Sequence, residues 1–236
     1  MNPFARWFGR GAPLTPELKQ LIADWQATPS PPPTARFAAT RAVVVDTETG
    51  GLDTHGDRLL AVGAVGLDRL RIHLADSFDT VLRQARASAR ENIVVHGIGA
   101  AAQIGGEEPQ LALLRFLEFC GKSTLIAFHA PIDEAFVKRG VLEALGVRLR
   151  LPWIDLAVVL PALYDAPPTL TLDDWLQRFE IAAPTRHSAL GDAFATAQLA
   201  QIALRRAQAR GIEDFGSLAR LERDARWLRD SSSRPA

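Results

Sequence analysis

Val43-Val44-Val45-Asp46-Thr47-Glu48-Thr49-Gly50-Gly51-Leu52 sets a run of valines directly before two acids and a glycine pair. With Ala42 in front, the valines make a short continuous apolar run, the pattern of a strand buried on both faces. β-Branched side chains suit that backbone. The run stops at two acids, Asp46 and Glu48. Residues two apart in a strand share a face, so both carboxylates point to one side at the strand's end. They repel, and burying them costs free energy unless a cation balances them. Oxygen ligands alone favour Mg²⁺ or Mn²⁺ over zinc. The plain alternative is a strand that ends in a polar turn, with Gly50-Gly51 as the turn.

Beyond the glycine pair, Leu59 to Leu67 reads as a second strand and Arg69 to Leu74 as a third, with Gly66-Leu67-Asp68-Arg69 as the hairpin turn between them. Glu107 to Cys120 reads as a helix, with Pro109 early and Leu111, Leu114 and Leu117 spaced by three. Leu125 to Phe128 is a fourth strand, Ile132 to Leu145 a helix ended by Gly146, and Trp153 to Leu156 a short fifth strand. Helices follow at 156–163, 172–180 and 189–209. Three strands, then alternating helices and strands, then helices, predict a mixed-sheet α/β domain.

The ends read differently. Thr28 to Thr34 contains the run Pro31-Pro32-Pro33, which suits neither a helix interior nor a central strand and reads as a stiff connector. Before it, Thr15 can cap a helix, Pro16 suits its first position, and Leu14, Leu18, Leu21, Ile22 and Trp25 form one stripe. One helix cannot bury that stripe alone, so it docks on the main domain or on a partner. The boundaries expected are an arm and linker at 1–35, a main domain at 36–210 and a helical tail at 211–236. On the tail, Leu218, Leu221, Ala225 and Leu228 make a narrow stripe, while Arg220, Arg223, Arg226 and Arg229 spiral. A solvated helix is the plain reading, and a phosphate-contacting patch the sharper one.

Composition bounds the function. The chain has 236 residues, 47% hydrophobic and 23% charged, enough for a sizeable core. Lys plus Arg and Asp plus Glu are both 27. Zero formal charge argues against coating long duplexes by counterion release, but not against an enzyme that grips one chain end. The single cysteine, Cys120, allows neither an intramolecular disulfide nor a Cys-based zinc site. A reducing, cytoplasmic location is expected, with no membrane span and no secretory signal after Met1 to Arg10.

Two more stretches carry chemistry. In Phe128-His129-Ala130-Pro131-Ile132-Asp133-Glu134, Asp133 falls in the first turn of a helix, where an acid also simply complements the helix dipole. Glu134 points elsewhere on that helix. In His187-Ser188-Ala189-Leu190-Gly191-Asp192-Ala193, the side chains at 187 and 192 diverge by ~140° on a continuous helix. They converge if His187 lies on the incoming loop and Asp192 in the first turn. Histidine suits proton transfer near neutral pH; a structural His–Asp hydrogen bond is the plain alternative.

Taken together, in this order, the three motifs resemble the DEDD family of 3′–5′ exonucleases, in its histidine-containing branch, to which the proofreading epsilon subunit of bacterial polymerase III belongs. Asp46 and Glu48 match its Asp-x-Glu, His129 to Asp133 resembles its second motif, and residues 187 to 193 match its His-x-Ala-x-x-Asp-Ala. Glu91-Asn92-Ile93-Val94-Val95-His96-Gly97-Ile98 stands where the family often has a His-Gly-Ile segment. The resemblance covers about 38–205. Ala130, Pro131 and Ile132 depart from the family pattern and alter one wall of the site.

The resemblance implies a ribonuclease H-like α/β fold with a five-stranded mixed sheet flanked by helices, and makes 36–210 an exonuclease domain. It implies two divalent cations, Mg²⁺ or Mn²⁺, held by Asp46, Glu48, Asp133 and Asp192, with Asp46 bridging them. His187 would take the proton of the attacking water. Glu91 and His96 would contact the terminal nucleotide, Thr49 the sugar, and Gly50 and Gly51 would let backbone approach substrate. For His96, a histidine in a Gly-rich turn is the plain alternative; His55, His73 and His129 receive no role. The expected activity is hydrolysis at nucleic-acid 3′ ends, of single-stranded DNA in proofreading or repair, releasing nucleoside 5′-monophosphates. An RNA-trimming exoribonuclease is the first alternative. An exonuclease-like subunit that mainly holds a polymerase, or another replication or repair protein, through Leu14–Trp25 or Leu218–Leu228 is the rival of another class.

Overall fold

The computed structural model describes residues 13–88, 92–93, 97–183 and 188–232. Five strands form one mixed sheet: β1 (Arg41–Thr49), β2 (Leu59–Asp68), β3 (Arg71–Val81), β4 (Thr124–Ala127) and β5 (Trp153–Asp155), in the order β3-β2-β1-β4-β5. β2 runs antiparallel to β1 and β3 antiparallel to β2, while β4 lies parallel to β1 and β5 to β4. β1 is therefore central, and its side chains divide between two layers. Val43 and Val45 join a core with the helices α3 (Pro109–Cys120) and α4 (Ala130–Leu145). Ala42 and Val44 join a core with α5 (Leu156–Tyr164), α6 (Leu172–Arg178) and α7 (Ala189–Ala209). That is the buried-on-both-faces strand the valine run predicts, and the architecture is the ribonuclease H-like one.

Helix α1 (Pro16–Ala27) lies against α3, burying Ile22 and Trp25 in the first core. Thr15 Oγ1 accepts the Leu18 N–H at 3.3 Å as its cap. The Trp25 indole donates to the Gly121 carbonyl at 3.0 Å, and Lys122 Nζ sits 3.3 Å from the ring centroid. Burying such side chains stabilises by about 1.5–3 kcal/mol each. Between the two expected docking surfaces, the stripe uses this chain's own.

Three expectations are corrected. The β2–β3 turn is centred on Arg69 and Leu70, with φ of +49° and +62°, and not on Gly66 to Arg69. Gly66 serves another purpose: a Cβ there would lie 1.7 Å from the Asp76 carboxylate, which makes a two-pronged pair with Arg41 at 2.8 and 2.9 Å. β3 runs on to Val81, well past Leu74, through an irregularity in its pairing with β2 that carries Asp76 over Gly66. The tail helix α8 (Phe215–Ser232) is not merely solvated. It buries Leu218, and Arg226 reaches the Asp155 carboxylate at 2.8 Å. Its apolar stripe is narrow because polar side chains do part of the docking. A short helix, α2 (Ala100–Gly105), adds an element where the sequence pattern predicts none.

Candidate active site

Asp46 and Glu48 lie on the same face of β1 as Val44, so they point toward α7. Opposite Asp46 in register stands Gly63 of β2. A Cβ on Gly63 would lie 2.1 Å from the Ala189 carbonyl carbon and 2.2 Å from the Leu190 nitrogen. The backbone that starts α7 therefore rests directly on the sheet, as a glycine inside an apolar strand allows. Ser188 caps that helix, its Oγ accepting the Gly191 N–H at 3.2 Å, and Asp192 follows in the first turn. One carboxylate oxygen from each of Asp46, Glu48 and Asp192 lies within 4.8 Å of the others.

This oxygen-only donor set fits a hard divalent cation. Oxygens bound to one Mg²⁺ at ~2.0–2.1 Å lie at most ~4.2 Å apart. The three carboxylates need only a small inward movement, or a pair of shared ions, to complete ligation. Their mutual repulsion is what a cation would relieve, and the helix N-terminus favours the acid at 192.

Asp133 stands apart from the three. It is buried in the first turn of α4, on the other face of β1, where Thr47 Oγ1 donates to its Oδ1 at 2.8 Å. Burial pushes its carboxyl up to about 7, against the opposing effect of the Thr47 hydrogen bond. The α4 N-terminus is fixed by His129, a left-handed residue with φ +62° whose N–H donates to Asp155 Oδ1 at 3.0 Å. Asp155 is in turn held by Arg226, and its N–H reaches Glu222. His129 thus has a positional role through its backbone. Glu134 pairs with Lys138 on the same helix, facing away as expected.

The Gly50-Gly51 turn continues from Glu48 through a shift in strand register between Glu48 and Thr49. Thr49 Oγ1 donates to the Gly51 carbonyl at 2.7 Å, and Asn92 Nδ2 to the Gly50 carbonyl at 2.7 Å. Leu52 projects from this turn, 78% exposed. Glu91, His96 and His187 lie outside the described residues. The structure also singles out residues that the sequence motifs leave unmarked: Gly63, Thr47 and Asp155. For Gly63 a signal existed, an isolated glycine within Leu59 to Leu67; for the other two none did.

The sequence and the fold are similar to those of known nucleases. Residues 43–200 match the model of the RNase T family, described as exonuclease. A DNA polymerase III subunit epsilon-like protein of Rhodobacter capsulatus is 32% identical over 197 residues, covering 81% of this chain and 28% of that protein. The chain thus spans less than a third of the length of the curated relatives it matches. In fold it is similar to E. coli exonuclease I in complex with a dT13 oligonucleotide, with a TM-score of 0.60 at 16% identity over 72% of this chain and 42% of that one. It is similar also to the nuclease domain of 3′hExo, a DEDDh family member bound to rAMP, with a TM-score of 0.61 at 16% identity over 76% and 97%. The match runs from β1 into α7, about two thirds of the sequence, and the chain belongs to the RNase T family of exonucleases.

Proposed function

We propose that this chain is a metal-dependent 3′–5′ exonuclease that hydrolyses phosphodiester bonds at 3′ ends, preferring single-stranded DNA and releasing nucleoside 5′-monophosphates. The observation that carries the reading is the convergence of Asp46, Glu48 and Asp192 within 4.8 Å at the end of a buried strand. Two divalent cations, Mg²⁺ or Mn²⁺, would when bound supply an activated hydroxide and neutralise the leaving oxygen. Asp46, Glu48 and Asp192 would hold them from one face of β1, and Asp133, oriented by Thr47, from the other. His187 would accept the proton of the attacking water. Thr49 would meet the terminal sugar, Gly50 would let backbone approach the substrate, and Glu91 and His96 would contact the terminal nucleotide.

The name of the epsilon-like relative supports a role in replication or repair beside a polymerase, and a cytoplasmic location is part of the same proposal. No helix among the described residues is long and apolar enough to cross a membrane. The rAMP-bound neighbour favours the RNA-trimming alternative as second reading. End-labelled single-stranded DNA and RNA of matched sequence, digested with Mn²⁺, separate the two. The expected result is stepwise loss from free 3′-hydroxyl ends, faster on DNA, with 3′-phosphate ends resistant. Equal cutting of a closed circular strand would show an endonuclease and overturn the reading.

A further inference from the structure

The tail helix α8 lies beyond residues 43–200, the part of the chain that matches the family model. It still reaches the active site, through one buried acid. Asp155 ends β5, opposite Ala127 of β4 in register, and is 3% exposed. Its Oδ1 accepts two backbone N–H groups, from His129 and Ala157, each at 3.0 Å. The second bond caps α5, and the first holds the residue from which α4 starts. Its Oδ2 accepts Arg226 Nη2 at 2.8 Å. The same guanidinium donates to Glu222 Oε1, at 2.9 Å from Nη2 and 3.2 Å from Nε. Glu222 Oε2 then accepts the Asp155 N–H at 3.2 Å, which closes the ring. Arg229 adds a bond from Nη2 to the Ala157 carbonyl at 3.1 Å.

A carboxylate this deep in the fold costs free energy unless a cation and hydrogen bonds satisfy it. Arg226 is the cation that Asp155 has among the described residues, and its planar fork bridges Asp155 and Glu222 together. What this fixes matters for the site. His129 has a φ of +62°, in the left-handed region, and its side chain makes no capping bond. Such a conformation persists where the surroundings hold it, and the Asp155 carboxylate is the partner of its N–H. Asp133 follows four residues later, in the first turn of the same helix. A shift of Asp155 therefore moves the start of α4, and Asp133 with it.

We propose that Arg226 is a positioning residue of the active site: by clamping Asp155 it sets the start of α4 and so the place of the Asp133 carboxylate. The role rests on the exonuclease reading. It makes the tail helix a working part of the nuclease.

The test is Arg226→Gln, which removes the charge and keeps a donor, with Arg226→Lys as the charge-preserving companion. Two quantities are read: kcat and KM on single-stranded DNA with Mn²⁺, and Mn²⁺ affinity by calorimetric titration without DNA. Arg226→Gln should lower kcat about tenfold and weaken Mn²⁺ binding by a similar factor, the lower end for groups that orient a metal's ligands. KM for DNA should stay unchanged, and Arg226→Lys should recover most of both losses. Asp155→Asn keeps the acceptor for the His129 N–H and needs no cation. Arg226→Gln added to it should cost little more, and that double variant folds even where Arg226→Gln alone does not; a further full loss would show that Arg226 does not act through Asp155, and would overturn the role. Phe215→Leu loosens the other end of α8, where the ring meets Phe37 edge-on at 4.8 Å. It should lower the melting temperature and leave kcat and Mn²⁺ affinity alone. A wild type that digests DNA while Arg226→Gln keeps its kcat and Mn²⁺ affinity overturns the positioning role alone, and so do equal losses in Phe215→Leu. A wild type that releases no nucleotide overturns the exonuclease reading, and the positioning role with it.

Discussion

Asp46 and Asp133 are both acids near the end of β1, yet they reach it from opposite faces, and this separates what each should do. Asp46 lies in the carboxylate cluster, whereas Asp133 is buried and hydrogen-bonded to Thr47. Asp46→Ala should abolish cleavage and weaken Mn²⁺ binding severely, while raising the melting temperature of the metal-free protein because a repelling charge is gone. Asp133→Asn keeps the shape, and should cost less in Mn²⁺ affinity than Asp46→Ala; calorimetric titration of the two variants checks the order. His187 is argued from its motif. A general base contributes ~10²–10⁴-fold in rate, so His187→Ala should lower turnover within that range and leave Mn²⁺ affinity nearly unchanged. Near wild-type turnover in His187→Asn would remove the general-base role and leave a hydrogen-bonding one. The cluster was legible because two of its acids share a strand face and the third follows a distinctive His-x-Ala-x-x-Asp-Ala pattern. Thr47 and Asp155 were not, because their contacts are made across 86 and 26 residues of chain and no local pattern encodes a partner that distant.

At the scale of elements, the site depends on how closely α7 approaches β2. Gly63→Ala would put a methyl group 2.1–2.3 Å from the backbone of Ala189 and Leu190, and backbone cannot swing aside as a flexible side chain can. Overpacking of this kind costs about 1–3 kcal/mol, and α7 should lift, carrying Asp192 away from Asp46. Misplacement by ~1 Å can lower turnover on the order of 10²-fold. Chemical denaturation together with single-turnover rates checks both effects, and an unchanged rate would place the origin of the site's geometry elsewhere. Elements with continuous apolar patterns, β1, β2, α4 and α7, were readable from sequence almost to their ends. β3 was readable only to Leu74, because Asp76, Ser77 and Asp79 look like loop residues. Asp76 is in the strand because Arg41 binds it across the sheet and Gly66 leaves it room. The docking of α8 was missed for a related reason: Arg226 and Glu222, which read as solvated charges, are turned inward onto Asp155.

For the whole molecule, the two helical layers meet the sheet where β1 ends, and each layer brings the N-terminus of one helix to that point: α7 with Asp192 and α4 with Asp133. Helix N-termini favour anionic groups, so the scaffold gathers acids there and leaves the cation to offset their repulsion. On this arrangement the cluster would act through bound divalent metal. Metal dependence is checked by release of nucleotide from 3′-hydroxyl single-stranded DNA by the wild-type protein, first stripped with EDTA and then given Mg²⁺ or Mn²⁺ in excess. No release is expected in chelator, with stepwise digestion restored on adding either ion. Full activity maintained in EDTA would contradict it.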